Sequence, residues 1–302
     1  MQYCPSRRHL LKLGSLVLSA GPLKVPAWVA DVSTPAISSS EARTPVPRNS
    51  NKGNDPMHIS DSFPAQPADL VREMVTVAHF DLNRVKSLVD THPSLAIAAW
   101  DWGFGDWETP LGAASHMGNR PIAEFLIANG APNSLYSAAM MGHLDAVKAL
   151  VSAQPFIQRI HGPHSISLLA HARMGGEAAR LVLEFLQPLG DADSQLPVPL
   201  PEKDAATFVG TYILDLHDSK GACQIDVDAD MKIYANKMYT FPPQLNWTRK
   251  GSMTRPLFHL GDSVFYPAGA QAVRIAFASD AGSVAMSIQD GDLTLSARRV
   301  VR

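Results

Sequence analysis

Residues 109–118 read Thr-Pro-Leu-Gly-Ala-Ala-Ser-His-Met-Gly, and this stretch decides how the middle of the chain folds. Thr109 can cap the start of a helix through its hydroxyl group, and Pro110 suits the first helical turn, where its missing N–H is not needed. Leu111 is expected to be buried, and the two alanines that follow let another helix pack closely. Gly118 can adopt the left-handed conformation that ends a helix. The stretch therefore predicts a short, closely packed helix with defined ends.

The same pattern of small, apolar and glycine residues recurs along the middle of the chain. It returns twice downstream and once upstream, where Asp81 stands in the glycine position. Successive glycine positions are separated by 37, 24 and 33 residues, counted from Asp81 through Gly118 and Gly142 to Gly175. A recurring unit of this size predicts a repeat architecture.

Residues 109–133 resemble one ankyrin repeat, because the TPLxAA motif, its glycine and the following apolar positions occur in that family's order. The resemblance implies an α-solenoid of about four degenerate repeats over residues 68–190, enough for a shared core. Gly112 replaces the usual histidine of the motif and removes a hydrogen bond within the repeat. The spacing of 24 residues between Gly118 and Gly142 implies a missing β-turn finger. The spacing of 37 residues between Asp81 and Gly118 implies an extended loop at residues 100–107. Generic helical hairpins are the alternative.

The first thirty residues carry a candidate export signal. Six residues resemble the twin-arginine export motif, with leucine where phenylalanine is usual: Ser6, Arg7, Arg8, Leu10, Leu11 and Lys12. The apolar stretch at residues 13–23 is too short to span a hydrocarbon core of about 30 Å. The resemblance implies a signal peptide over residues 1–30 that is cleaved after Ala27 or Ala30. It also implies that the twin-arginine export machinery carries the folded protein to the periplasm. A cytoplasmic amphipathic start and an uncleaved anchor are the alternatives.

Two segments have the composition of linkers. Residues 31–67 are rich in Ser, Thr, Pro, Asn and Ala and hold few large apolar residues, which predicts disorder. Residues 191–204 contain a second proline-rich stretch between the helical middle and the end of the chain.

Residues 205–302 change to short β-rich runs separated by turn clusters such as Asp290-Gly291-Asp292. This pattern predicts a small antiparallel β-barrel or sandwich, and so an α + β multidomain chain. The stretch at residues 265–269 and the strand after it resemble the small β domain appended to some periplasmic serine hydrolases. That resemblance implies no chemistry, because the nucleophile of those enzymes lies in another domain.

Composition argues against several functional classes. A net charge of −2 over 302 residues offers no broad cationic surface for nucleic acid. Cys4 lies in the predicted signal peptide, which leaves Cys223 alone in the mature chain and predicts no disulfide. The mature region has no CxxC pair, dinucleotide or Walker sequence, GxSxG elbow or SxxK pair. We therefore expect no enzyme, no cofactor, no nucleic-acid partner and no stable membrane span in the mature protein.

Several histidines have the character of zinc ligands. His161, His164 and His171 lie close in sequence, with His143 and His116 in nearby repeats, and neutral imidazoles bind zinc. No third ligand has a firm spacing. Structural or surface histidines are the favoured interpretation, and no metal site is predicted.

Asp226, Asp228 and Asp230 imitate the start of a calcium loop. Met231 and Lys237 stand where that loop requires glycine and glutamate. A solvated strand end and turn is the favoured interpretation.

The organisation favours an exported, non-enzymatic binding protein whose ankyrin repeats contact a protein partner. The candidate partner-binding element is the loop with Trp100, Trp102, Phe104 and Trp107, because aromatic residues are enriched at interface hot spots. The same rings could instead fold back over the first repeat. An alternative function is small-molecule or lipid binding in the β domain, and a third is an enzyme with a dispersed site.

Overall fold

The computed structural model describes residues 63–193, 198–214, 223–229, 245–250, 252–280 and 283–300. The predicted signal peptide, its cleavage site and most of the first predicted linker lie outside these residues. The described helices and strands belong to one compact unit. None of these helices combines the length and the apolar character that crossing a bilayer requires.

Nine α-helices lie in the described residues, and short 3-10 turns connect several of them. Their bounds are α1 Ala68–Val77, α2 Leu82–Thr91, α3 Pro110–His116, α4 Arg120–Ala128, α5 Leu135–Met141, α6 Leu144–Ala153, α7 Leu168–Met174, α8 Arg180–Leu186 and α9 Glu202–Phe208. A two-stranded hairpin, β1 Trp100–Asp101 and β2 Trp107–Glu108, precedes α3.

Side-chain caps define the starts of the central helices. The Thr109 hydroxyl accepts a hydrogen bond from the Gly112 N–H at 3.0 Å, and Pro110 is the first residue of α3. Ser134 and Ser137 form a reciprocal capping box at the start of α5. Each cap satisfies an N–H group that has no partner inside the helix. The predicted start of the helix at residue 109 is confirmed.

The helices stack as consecutive pairs, and α1, α3, α5 and α7 contact one another in succession. Gly142 ends α5 with a φ of +80°, and a Cβ on this residue would lie 2.0 Å from the carbonyl oxygen of Ala178. Only glycine allows both the left-handed conformation and this close approach. Gly118 adopts a positive φ, as predicted, and so does Gly130.

The helical region differs from a regular linear array in one contact. Repeats in such an array touch only their neighbours, whereas α3 here also contacts α7. The rings of His116 and His171, at these two helices, have centroids 6.4 Å apart. The connection between α4 and α5, residues 129–134, contains no strand. The structure therefore supports a stack of helix pairs, and a regular solenoid is not shown.

Eight strands form a closed antiparallel barrel, which decides between the predicted barrel and sandwich. Their bounds are β3 Gly210–Leu214, β4 Cys223–Asp228, β5 Leu245–Arg249, β6 Arg255–Gly261, β7 Val264–Pro267, β8 Arg274–Asp280, β9 Ser283–Asp290 and β10 Leu293–Arg299. Each strand pairs with the next along the chain, and β10 pairs with β3 to close the barrel.

Large side chains pack into the barrel core, among them Tyr212, Phe265, Phe277, Leu245 and Ile275. Helix α9 crosses the predicted boundary at residue 205 and adds Ala205 and Phe208 to the same core. The barrel therefore includes a helix that the strand pattern did not predict. Its packed core does not favour a ligand at the barrel centre.

Candidate functional site

Six buried or half-buried polar side chains meet where the helices contact the barrel. This buried charge cluster consists of His79, Asp106, Glu108, His116, His164 and Arg255. His79 follows α1, Asp106 and Glu108 lie at β2, and His116 ends α3. His164 lies in the 3-10 turn Pro163–Ser165, and Arg255 begins β6 of the barrel.

Glu108 is the centre of the cluster, and its side chain is fully buried. Its Oε1 accepts a hydrogen bond from His116 Nε2 at 2.8 Å, and its Oε2 accepts one from Trp102 Nε1 at 2.8 Å. Oε2 also lies 3.3 Å from His164 Nε2 and 3.7 Å from His79 Nε2. Three imidazoles and an indole therefore surround one carboxylate.

Asp106 joins the helical region to the barrel. It accepts hydrogen bonds from the backbone N–H of His164 at 2.9 Å and from His164 Nδ1 at 2.8 Å. Arg255 Nη1 donates to Asp106 at 2.9 Å and to the carbonyl oxygen of Ala268 at 2.6 Å. A Cβ on Gly269, whose φ is +84°, would lie 2.1 Å from the Asp106 carboxyl carbon. The barrel backbone at Gly269 therefore packs directly against the Asp106 carboxylate and leaves no room for a side chain at this position.

Burial and hydrogen bonding shift the pKa of each of the two carboxyl groups in opposite directions. Burial alone would raise the pKa of Glu108, but hydrogen bonds from His116 and His164 outweigh it and hold the pKa well below its usual range. Burial would likewise raise the pKa of Asp106, and the contacts with His164 and Arg255 lower it instead. Both groups are therefore ionised at neutral pH.

Three neighbouring imidazoles respond differently to burial and to the surrounding charges. For His164, burial opposes the charged form, but the bonds to Asp106 and Glu108 outweigh it and raise its pKa to about 9. Burial lowers the pKa of His116 and lowers that of His171 to about 3. A protonated His164 together with Arg255 balances the charges of the two carboxylates.

Two buried imidazole nitrogens have no hydrogen-bond partner within the described part of the chain: His116 Nδ1 and His171 Nε2. His171 Nδ1 lies 2.8 Å from the carbonyl oxygen of Ser167 and so carries that ring's proton. A fully buried polar atom without a partner is unfavourable by about 1–3 kcal/mol. The cluster therefore retains an unsatisfied group beside its centre.

The aromatic loop predicted to bind a partner is mostly turned inward. Trp100 and Trp102 pack against the helical core, and Trp102 donates to the buried Glu108. Phe104 packs against the barrel core, with its ring 5.8 Å from that of Trp247. Only Trp107 among the four is largely exposed, at 61 %. The loop contacts the chain's own barrel and leaves one ring free for another molecule.

The other histidines considered from sequence lie outside the cluster. His161 is half-buried and contacts Gln271 of the barrel region. His171 is fully buried behind His116, and exposed His143 lies next to the side chain of Asn133. The sequence grouping thus contains two members of the cluster, His116 and His164.

The calcium-like aspartates do not surround a cation position in the described residues. Asp226 lies within β4 and accepts hydrogen bonds from Thr211 and Gln224. Asp228 ends the same strand, and Asp230 lies outside the described residues. Cys223 is half-buried against the barrel core.

Sequence reasoning missed four members of the cluster: His79, Asp106, Glu108 and Arg255. One signal was available, since Asp106 and Glu108 are two acidic residues in an aromatic-rich loop that leads directly into a buried helix. His79 and Arg255 carry no local signal, because their partners are distant in sequence. No protein-family model, curated protein or solved structure matches the chain.

Four of these side chains could hold a metal ion. His79, Glu108, His116 and His164 each offer one ligand atom, and these atoms lie within 4.8 Å of one another. As a hydrogen-bonded network, the same groups join the β1–β2 hairpin to two helix ends and the 163–165 turn, and Asp106 and Arg255 extend the network to the barrel.

Proposed function

We propose that the protein is an exported binding protein whose helix pairs are degenerate ankyrin-type repeats that contact a protein partner. The observation that carries this proposal is the stack of α1, α3, α5 and α7, whose close contacts depend on glycines at helix ends. Stacked repeats of this kind present extended surfaces for binding. The proposal concerns a molecular surface and requires no reacting group.

The proposed contact surface lies at the first helix pair and its hairpin. Three large apolar residues there are more than half exposed: Phe80 at 67 %, Ile97 at 58 % and Trp107 at 61 %. Contiguous exposed apolar patches are typical of sites that bind another protein, and we propose that these three side chains form one. The expected partner is therefore a protein with an apolar surface.

Site-specific photo-crosslinking tests this surface in cells that export the protein. A photo-crosslinking residue in place of Trp107 or Ile97 should give the same single adduct, and excess unlabelled purified protein should compete it away. The same residue in place of Glu124, an exposed position on α4, is the control. Equal adducts from all three positions, or none from Trp107 and Ile97, would contradict the proposed surface.

Export is tested separately from binding. Replacing Arg7 and Arg8 together by lysine keeps the charge but removes the pair that the export receptor reads. The precursor should then remain in the cytoplasm, measured by cell fractionation and immunoblotting. Unchanged periplasmic accumulation of the double variant would rule out the twin-arginine route.

One observation favours the second candidate function, binding of a small molecule or lipid. A cavity of about 660 Å³ borders α9 and is lined largely by apolar residues, including Leu200, Ala205, Ala206 and Val209. Ligand sites commonly have volumes of about 300–1,000 Å³. A fluorescent fatty acid should bind saturably to the wild-type protein and at least about tenfold more weakly to Ala206→Trp. Equal binding to both proteins would rule out this cavity.

A further inference from the structure

Four side chains of the buried charge cluster present ligand atoms at the spacing of a metal site. Glu108 oxygens lie 2.8, 3.3 and 3.7 Å from the Nε2 atoms of His116, His164 and His79. The ligands of a tetrahedral zinc ion, with bonds of about 2.0–2.1 Å, are about 3.3 Å apart. The two distances to Glu108 Oε2 are within a few tenths of an ångström of that value, and the four ligand atoms, which lie within 4.8 Å of one another, would close in by up to about 1.5 Å around the ion.

Hydrogen bonds on the far sides of two rings fix which nitrogens face the cluster. His79 Nδ1 lies 3.0 Å from each of two backbone carbonyl oxygens of α1, which only accept, so Nδ1 carries the proton. His164 Nδ1 faces the Asp106 carboxylate in the same way. In neutral rings both Nε2 atoms then present lone pairs toward the Glu108 carboxylate. Such an arrangement is favourable only with a cation among these groups, either a proton or a metal ion.

The outer contacts are those that orient metal ligands in proteins. A ligating histidine usually donates its other N–H to a carboxylate or a backbone carbonyl, which Asp106 and α1 supply here. Trp102 donates to Oε2 of Glu108, and Arg255 holds Asp106 in place. His79 and His164 are therefore oriented by outer contacts, whereas the outer nitrogen of His116 has no partner in the described residues.

We infer that His79, Glu108, His116 and His164 form a structural zinc(II) site at the junction of the helices and the barrel. Three imidazoles and one carboxylate suit zinc, and four protein ligands complete its tetrahedral coordination. Side-chain exposure of 20 % at His79 and 13 % at His164 gives an entry path. The site binds a cation whether or not the protein also binds a partner.

Metal titration of the full-length protein tests the site. Protein treated with EDTA and dialysed should bind one equivalent of zinc(II) in competition with a chromophoric chelator, and zinc should raise the melting temperature. Cobalt(II) should give the intense visible absorption of tetrahedral coordination. His79→Gln and Glu108→Gln should each weaken zinc binding by at least about tenfold, since even supporting residues contribute that much. His92→Gln, a half-buried histidine outside the cluster, is the control and should bind zinc like the wild type.

Two results would overturn the zinc site. The first is the absence of saturable one-to-one binding by the folded wild-type protein, which would leave a proton as the cation of the cluster. The second is undiminished binding by folded His79→Gln and Glu108→Gln, with folding checked by circular dichroism. If both variants fail to fold, the wild-type titration and the cobalt spectrum alone decide.

Discussion

Replacing Arg255 by methionine removes the charged contact between the barrel and the helices while keeping an unbranched, apolar stem. The Arg255 side chain is only 2 % exposed, and its guanidinium group donates to Asp106, to the Ala268 carbonyl and to the Gly103 carbonyl. After the substitution, both carbonyl groups lose a donor, and the Asp106 carboxylate keeps its bonds from His164.

The expected loss in the free energy of unfolding follows from those contacts. Removing one partner of a buried ion pair destabilises a protein by about 3–5 kcal/mol, because the remaining charge stays buried. Because the hydrogen bonds from His164 to Asp106 remain, we expect a loss in the free energy of unfolding at the lower end of this range, about 3 kcal/mol. A change of 1 kcal/mol shifts the melting temperature of a chain of this size by about 2–4 °C. We therefore expect a decrease of about 6–12 °C.

Urea unfolding followed by tryptophan fluorescence measures the change in the free energy of unfolding. Arg249→Met on the neighbouring strand is the matched control, because Arg249 is exposed and should change stability by less than about 0.5 kcal/mol. A double-mutant cycle with Asp106→Asn should give a coupling energy of about 0.5–3 kcal/mol. A loss below 1 kcal/mol for Arg255→Met, or no coupling, would refute the ion pair between barrel and loop.

Four further substitutions test the helical region by the same unfolding assay. Leu111→Ala should cost about 2–5 kcal/mol, because Leu111 is buried in the helical core, and a loss below about 0.5 kcal/mol would contradict its packing. Gly142→Ala should destabilise by more than about 1 kcal/mol, since its Cβ meets the Ala178 carbonyl at a left-handed φ, and a neutral effect would exclude that close approach. Trp102→Ala should cost about 3–5 kcal/mol and exposed Trp107→Ala less than about 0.5 kcal/mol, and equal losses would contradict the different burial of the two rings.

Local chemistry in the sequence predicted the elements that depend on neighbouring residues. The cap at Thr109 and the left-handed Gly118 follow from rules that act within one helical turn. The strands of the barrel follow from β-rich runs and turn clusters, and all eight lie within residues 205–302, where the sequence predicts them. Helix α9 was missed because Glu202–Phe208 is a single short helix whose burial depends on the barrel beneath it.

The site could not be predicted because its contacts join residues that are far apart in sequence. Arg255 and Asp106 are 149 residues apart, and His164 and Asp106 are 58 apart. No periodicity or motif encodes such pairs when each residue comes from a different element. The contact between α3 and α7 brings the end of α3 toward the 163–165 turn, and a regular repeat model would have kept these segments separate.

The inward-facing loop limits where a partner can bind. Hydrogen bonds between charged groups are strengthened in surroundings that exclude water, so the cluster depends on apolar neighbours such as Trp102, which packs against the helical core and donates to Glu108. A partner that bound the rings of Trp102 and Phe104 would have to separate the barrel from the hairpin and expose Asp106 and Glu108. Binding at Trp107 requires no such separation, because that ring lies on the outer side of the same hairpin. Partner binding at the exposed face and docking of the barrel on the inner face are therefore compatible.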